Sequence, residues 1–137
     1  MKRIALTLFS IALVTCSFAQ DLAKNIKPVN KLNPESAVFK WVATEYNFGK
    51  IKVGVPVTYE FSFTNSGQIP LIISTVQASC GCTVASYTKD PIEPGAKGFV
   101  KATFNAASVG QFTKTVTVNA NTDEGVAQLT IKGEVIQ

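Results

Sequence analysis

The sequence predicts an all-β fold, an immunoglobulin-like Greek-key β-sandwich of about seven strands. Three observations carry this expectation. Short runs rich in β-branched and aromatic residues recur from Ala37 onward. Turn residues separate them, as in "NSGQIP", "DPIEPGAKG" and "NTDEG". Nowhere do apolar positions repeat at helical spacing for three turns.

Taken in order, residues 1–19 read as a secretory signal peptide. Lys2 and Arg3 precede an apolar run from Ile4 to Val14, and Ser17-Phe18-Ala19 suits cleavage before Gln20. That run is too short to cross a membrane, which takes about 20 residues. A competing reading takes "LVT" before Cys16 as a loose lipoprotein box with Cys16 lipidated, a pattern that Thr15 fits poorly. Residues 20–36 hold Pro28 and Pro34 without apolar periodicity and read as a flexible lead-in. The sandwich is expected over 37–137.

Within it, Val38 to Tyr46 and Phe48 to Ile51 form a broken first strand, with Gly49 at the irregularity. The clearest strand is "VPVTYEFSFTN". Val55, Val57, Tyr59, Phe61 and Phe63 fall on one face and Thr58, Glu60, Ser62 and Thr64 on the other, so one face is packed and one is wet. Leu71 to Ala78, Phe99 to Phe104, Phe112 to Ala120 and Val126 to Val135 follow. Trp41 shares its parity with Phe39 and Ala43 and is placed in the core.

Composition excludes several function classes. The chain carries +4, but removing Lys2 and Arg3 leaves it near neutral with scattered lysines, which is no nucleic-acid footprint. It has no histidine, so neither a Ser-His-Asp nor a Cys-His pairing can be built. The carboxylates form no motif, with Glu60 on a wet face, Glu93 in a turn and Asp123 and Glu124 at a hairpin tip. No Gly-rich phosphate loop is present. The chain is therefore expected not to be an enzyme.

"SCGCT" is the segment that could carry chemistry. If the strand beginning near Leu71 ran through it, Cys80 and Cys82 would share a face with Gly81 opposite. Extended residues two apart lie near the upper limit for a disulfide, so a bridge requires the chain to bend, and Gly81 is suited to that. Three readings stay open. The pair is structural, as thiols or a local disulfide; it is redox-active or bridges to a partner; or it holds a metal, with Cu(I) preferred over zinc, which takes four ligands. The nearest cation in sequence is Lys89. No cofactor is expected on the first two readings, and copper is the alternative on the third.

The segments "YNFGKIKVGVPVTYEFSFTNSGQIPLIISTVQASCGCTV", "PIEPGAKGFVKATFNA" and "GQFTKTVTVNANT" resemble a bacterial family of secreted domains of unknown function. In that family a Phe-Gly start, a strand ending in Thr-Asn, a Ser-Cys-Gly-Cys-Thr motif and a Pro-Gly turn recur in this order. The resemblance covers about Glu45 to Val135. It implies an immunoglobulin-like fold, related to the ASH-type modules of ciliary and spindle proteins and more distantly to pilus chaperones, and a place in the cell envelope. It assigns no role to Cys80, Gly81 or Cys82. The functional expectation is an exported, periplasmic or extracellular, non-catalytic binding or structural module. It would meet an envelope protein through a sheet edge or loops, with no nucleic acid and no transmembrane helix. The alternative is a thiol-based redox or copper-handling protein working through Cys80 and Cys82.

Overall fold

A computed structural model describes residues 35–81 and 83–137. The signal peptide, the lipid-anchor reading of Cys16 and most of the lead-in lie outside the described residues, as does Cys82.

Among the described residues there is no helix, and eight strands form: β1 (Phe39–Trp41), β2 (Glu45–Lys52), β3 (Val57–Asn65), β4 (Ile73–Ala78), β5 (Thr83–Tyr87), β6 (Lys97–Phe104), β7 (Gly110–Ala120) and β8 (Val126–Ile136). They build two four-stranded sheets, ordered β1-β3-β6-β5 and β2-β8-β7-β4. Neighbours pair antiparallel except β2 and β8, the first long strand and the last, which run parallel. The all-β sandwich is as the alternation dictates, since period-2 sequences can bury one face only by laying two sheets together.

Three expectations are corrected. The first strand breaks at Val42–Thr44 and not between Tyr46 and Phe48, because the chain changes sheets there: Val42 N–H bonds Ser62 O in the first sheet and Thr130 N–H bonds Thr44 O in the second. Gly49 does mark the expected irregularity, a register shift inside β2, at φ 67°. Val55 lies outside β3 and is 52% exposed, because the β2–β3 turn carries it past the end of the sheet. Lastly β5, not anticipated, raises the count to eight among the described residues.

The core lies between the sheets. Phe61 and Phe63 of β3 and Val100, Ala102 and Phe104 of β6 meet Val116 and Val118 of β7 and Leu129, Ile131 and Val135 of β8. Trp41 is half-buried against this cluster, stacked on Phe39 and edge-on to Phe63, each at 4.8 Å between ring centroids. Tyr46 of β2 stacks on Tyr59 of β3 at 3.7 Å and closes the β1/β2 side of the sandwich with aromatic faces.

Gly98 is required by this packing. It pairs with Phe63, and a Cβ there would run into the ring's Cζ and lie 3.0 Å from both Cε atoms. Phe39 and Trp41 hold that ring, so it cannot swing away. Gly98→Ala is expected to lower stability by about 1–3 kcal/mol through overpacking, read as a lower urea midpoint at unchanged m-value. An unchanged midpoint would show that the ring has room to move.

The two ends of the sandwich differ. At one pole lie the start of the described chain and the β3–β4, β5–β6 and β7–β8 connections, tied by the Ala37–Thr122 and Leu71–Ile92 bridges. Here Asn65 is fully buried with every side-chain valence used. Its Oδ1 accepts from Val38 N–H (3.3 Å) and Gly67 N–H (2.9 Å), and its Nδ2 donates to Ile69 O (2.8 Å) and Ile92 O (2.9 Å). At the opposite pole lie the β2–β3 and β6–β7 turns and the C-terminus. Val53 N–H donates to Ile136 O and Gly54 N–H to Ala106 O.

Candidate functional site

Cys80 and Gly81 lie at the opposite pole from Asn65, on the crossover from β4 in one sheet to β5 in the other. The reason it turns there is visible in the hydrogen bonds. Ser79 N–H still donates to Thr115 O at 2.8 Å, but Thr115 N–H is received by Ser79 Oγ at 3.2 Å in place of a carbonyl. The hydroxyl ends the ladder and frees the chain to leave the sheet. Thr83 N–H then closes onto Cys80 O at 3.2 Å, a four-residue turn. The strand therefore stops at Ala78 and does not run through the motif, so Cys80 belongs to a turn and to no strand face. Gly81 is exposed, takes no left-handed backbone, and a Cβ on it would meet nothing within 4 Å.

Cys80 is half-buried and disulfide-bonded. The chain's other two cysteines, Cys16 and Cys82, are outside the described residues. Cys80 Sγ lies 3.9 Å from Thr83 Oγ1, and Thr83 is 5% exposed. A disulfide sulfur is not a thiolate, so the bridged state offers no soft ligand to Cu(I). Among the described residues no group of three or more Cys, Asp or Glu is placed to hold a metal ion.

Lys89, the nearest cation in sequence, is not the one near the motif. It follows the far end of β5, because β5 runs from Thr83, opposite Phe104, toward the Asn65 pole. Lys114 takes that place instead. Ala78 pairs with Val116 and Ser79 bonds Thr115, the residue that follows Lys114, so Lys114 lies at the same end of the sandwich as the turn. Lys114 sits between Phe112 and Val116 on the parity that faces the core, and pairs with the buried Ile131. A groove of about 250 Å³ opens beside it, lined by Phe104, Phe112 and the β6–β7 turn. The sequence holds the signal: in "FTKTV" a lysine occupies a core-parity position.

The carboxylates are surface charges. Glu60 pairs with Lys101 at 3.2 Å on the outer face of its sheet and Glu45 with Lys132 at 2.5 Å, all four side chains substantially exposed. No helix among the described residues is long and apolar enough to cross a membrane.

The same crossover places β4 and β5, the edge strands of the two sheets, on one side of the sandwich. Their sequences, "ISTVQA" and "TVASY", contain neither charge nor proline. On β4 the Ser79–Thr115 bond turns odd residues toward β7, so Val76 and Ala78 point their backbone groups outward. Thr88 N–H bonds Phe99 O in the same way on β5, leaving the backbone groups of Ala85 and Tyr87 outward. The β1/β2 side is guarded by contrast: Lys40, Lys50 and Lys52 line it and the irregularity at Gly49 distorts it.

Comparison with known structures agrees with the fold. A protein of unknown function from Porphyromonas gingivalis W83 superposes with a TM-score of 0.65 at 16% identity, over 78% of this chain and 51% of that one, so this chain spans about half its length. PapD-like domain 7, an ASH/PapD-like domain of human CEP192, superposes at 0.68 and 13% identity, over 87% and 98%. The VesB protease of Vibrio cholerae gives 0.56 at 16% identity, over 77% of this chain but 33% of that one. No curated protein matches. Residues 39–135 match the model of a family described as a protein of unknown function, DUF1573, and with most of its length inside that match the chain belongs to the DUF1573 family.

Proposed function

We propose that this chain is a non-catalytic, exported module of the bacterial cell envelope that binds a protein partner by adding one of the partner's strands to the β4/β5 side of the sandwich. One observation carries the reading. Both edge strands on that side are free of charge and proline and, among the described residues, of any covering strand, whereas the other side is guarded by lysines and an irregularity. Unguarded edges template strand addition, since their outward N–H and C=O groups lack partners within the sheet. Export is supported by the leader-like residues 1–19 and by the disulfide at Cys80, a bond favoured in oxidising compartments. A shared fold with an ASH/PapD-like domain is compatible with a binding role.

The test places a lysine on each open edge, Gln77→Lys and Ser86→Lys, where both side chains are exposed. Thr113→Lys, exposed on central β7, is the control. Proteins captured from the native envelope should fall about tenfold or more with the edge variants, a loss of about 1.4 kcal/mol or more, and stay unchanged with the control. Equal capture by all three variants would sink the edge reading.

A further inference from the structure

We propose that the outer face of the β1-β3-β6-β5 sheet binds an acidic polysaccharide, with one sugar ring lying on Phe99 and the carboxylates of its neighbours held by Lys40, Lys97 and Lys101. The inference goes beyond the edge reading, since it concerns a face and a ligand which that reading leaves aside.

Phe99 is out of place for its chemistry. β6 alternates, and Gly98, Val100, Ala102 and Phe104 are its buried residues. Phe99 takes the opposite parity and lies half-buried on the solvent side of the sheet. Among the described residues every other aromatic ring packs in the core, against it or on another ring, from Phe39 and Trp41 to Tyr46 and Tyr87. Phe99 stands outside that cluster, and its ring carries the Lys101 ammonium 5.0 Å from the centroid.

Strand register arranges charge and hydroxyls around the ring. Lys97 and Lys101 lie two residues to either side on the same strand, about 7 Å away. Lys40 pairs with Thr64 and Thr64 with Lys97, so two ammonium groups flank a hydroxyl in one row. In the next row Ser62 pairs with Phe99, and Thr88 Oγ1 accepts from Phe99 N–H at 3.0 Å. In the third, Glu60 pairs with Lys101. Three lysines thus stand against one carboxylate, and Glu60 is already engaged by Lys101 at 3.2 Å. Lys40 and Lys97 are exposed and form no ion pair with any described residue.

Each feature selects part of the ligand. An aromatic face turned to water takes the C–H face of a sugar ring, and the Ser62 and Thr64 hydroxyls exchange hydrogen bonds with sugar hydroxyls. Ammonium groups on both sides of that ring call for negative charge on the adjoining sugars. A neutral glycan would leave the lysines idle. An anionic lipid surface would use them, but the side chain that protrudes here is a single valine, Val42, 81% exposed, which is too little apolar surface to anchor in a bilayer. On binding, Lys101 exchanges Glu60 for a ligand carboxylate and uncovers the ring; exposed ion pairs hold weakly, so the exchange is easy.

Polygalacturonate, a carboxylated sugar polymer, is the probe. The full chain is titrated with it by calorimetry at about 0.15 M salt, where charges screen within about 8 Å. Neutral dextran and vesicles of phosphatidylglycerol and phosphatidylcholine are run beside it. The wild type should bind polygalacturonate and neither of the others. Phe99→Thr should weaken binding about tenfold and Lys97→Gln about fivefold, while Glu60→Gln, which releases Lys101, should strengthen it about threefold. Phe99→Tyr keeps the ring and should bind as the wild type does. Lys50→Gln, on the other sheet, should change nothing. Undiminished binding by Phe99→Thr would reduce the face to unspecific charge attraction and overturn the proposal. So would binding to the vesicles but not to polygalacturonate, or equal weakening by Lys50→Gln and Lys97→Gln. Should Phe99→Thr fail to fold by circular dichroism, the opposite shifts expected of Lys97→Gln and Glu60→Gln decide.

Discussion

Asn65→Asp is expected to lower the free energy of unfolding by about 3–5 kcal/mol at neutral pH, the largest effect of any change of so few atoms in this chain. The substitution keeps shape and volume but turns the Nδ2 donor into an oxygen that faces Ile69 O and Ile92 O, where the native contacts are 2.8 and 2.9 Å. Three oxygens would then crowd a fully buried site, one of them sharing a negative charge. Single domains hold only about 5–15 kcal/mol in reserve. The loss should depend on pH. Burial and the facing carbonyls raise the folded-state pKa of an aspartate there above its ordinary ~3.9. The folded form then binds the proton more tightly than the unfolded one, so the deficit grows as pH rises from about 4 through the raised pKa. Urea midpoints of wild type and variant at pH 3.5 and pH 7 measure this, and an equal deficit at both would reject the charge as its cause. Asn65→Ala takes this partner from Val38 N–H, Gly67 N–H and Ile69 O, while Ile92 O keeps Leu71 N–H, and without added charge it should cost about 2–4 kcal/mol with no such pH dependence.

Gly67→Ala should be comparably severe but local in character. A Cβ at 67 would run into Ser36 O and lie 2.7 Å from both Ala37 Cα and Val38 N, all backbone atoms that no rotamer change can move. The segment at 36–38 must then lift away. With it go the bonds from Ser66 N–H to Val38 O and from Gln68 N–H to Ser36 O, and the anchoring of β1. We expect a loss of about 3 kcal/mol or more, faster hydrogen exchange at the Ser66 and Gln68 amides, and a red-shifted emission from Trp41, the sole tryptophan. A red shift without faster exchange at those two amides would place the damage elsewhere.

Much of the sandwich was legible because its longer strands alternate cleanly. β3, β7 and β8 each bury the parity that the sequence marks as apolar, from Phe61 and Phe63 to Leu129 and Ile131. Short strands were not. Thr83, Ala85 and Tyr87 of β5 carry too little apolar bulk to stand out beside a cysteine turn, and their strand character comes from pairing with β6. The switch between β1 and β2 was misplaced because Trp41 and Ala43 keep the same parity on either side of Val42, so the pattern continues where the hydrogen bonds change sheets. Asn65 reads as a turn residue in "TNSGQ", yet its burial depends on Ile92, 27 positions away. At the motif, the local pattern identified Cys80, Gly81 and Cys82 but not the turn that holds Cys80, because the strand is ended there by bonds between Ser79 and Thr115, 36 positions apart.

The parallel pairing of β2 with β8 has a mechanical meaning. The described chain starts at the Asn65 pole and ends at the other, and the two long strands nearest its ends lie side by side in six register pairs, from Glu45–Thr130 to Lys52–Ile136. Tension applied between the ends pulls these strands past each other along their length. Their hydrogen bonds are then loaded together in shear, where an antiparallel hairpin pulled from its open end would unzip bond by bond. β1, with three pairs to β3, is the piece that yields first. Anchored at one end and held by a partner at the other, this sandwich would behave as a stiff link that gives little until the β2–β8 seam breaks as a unit.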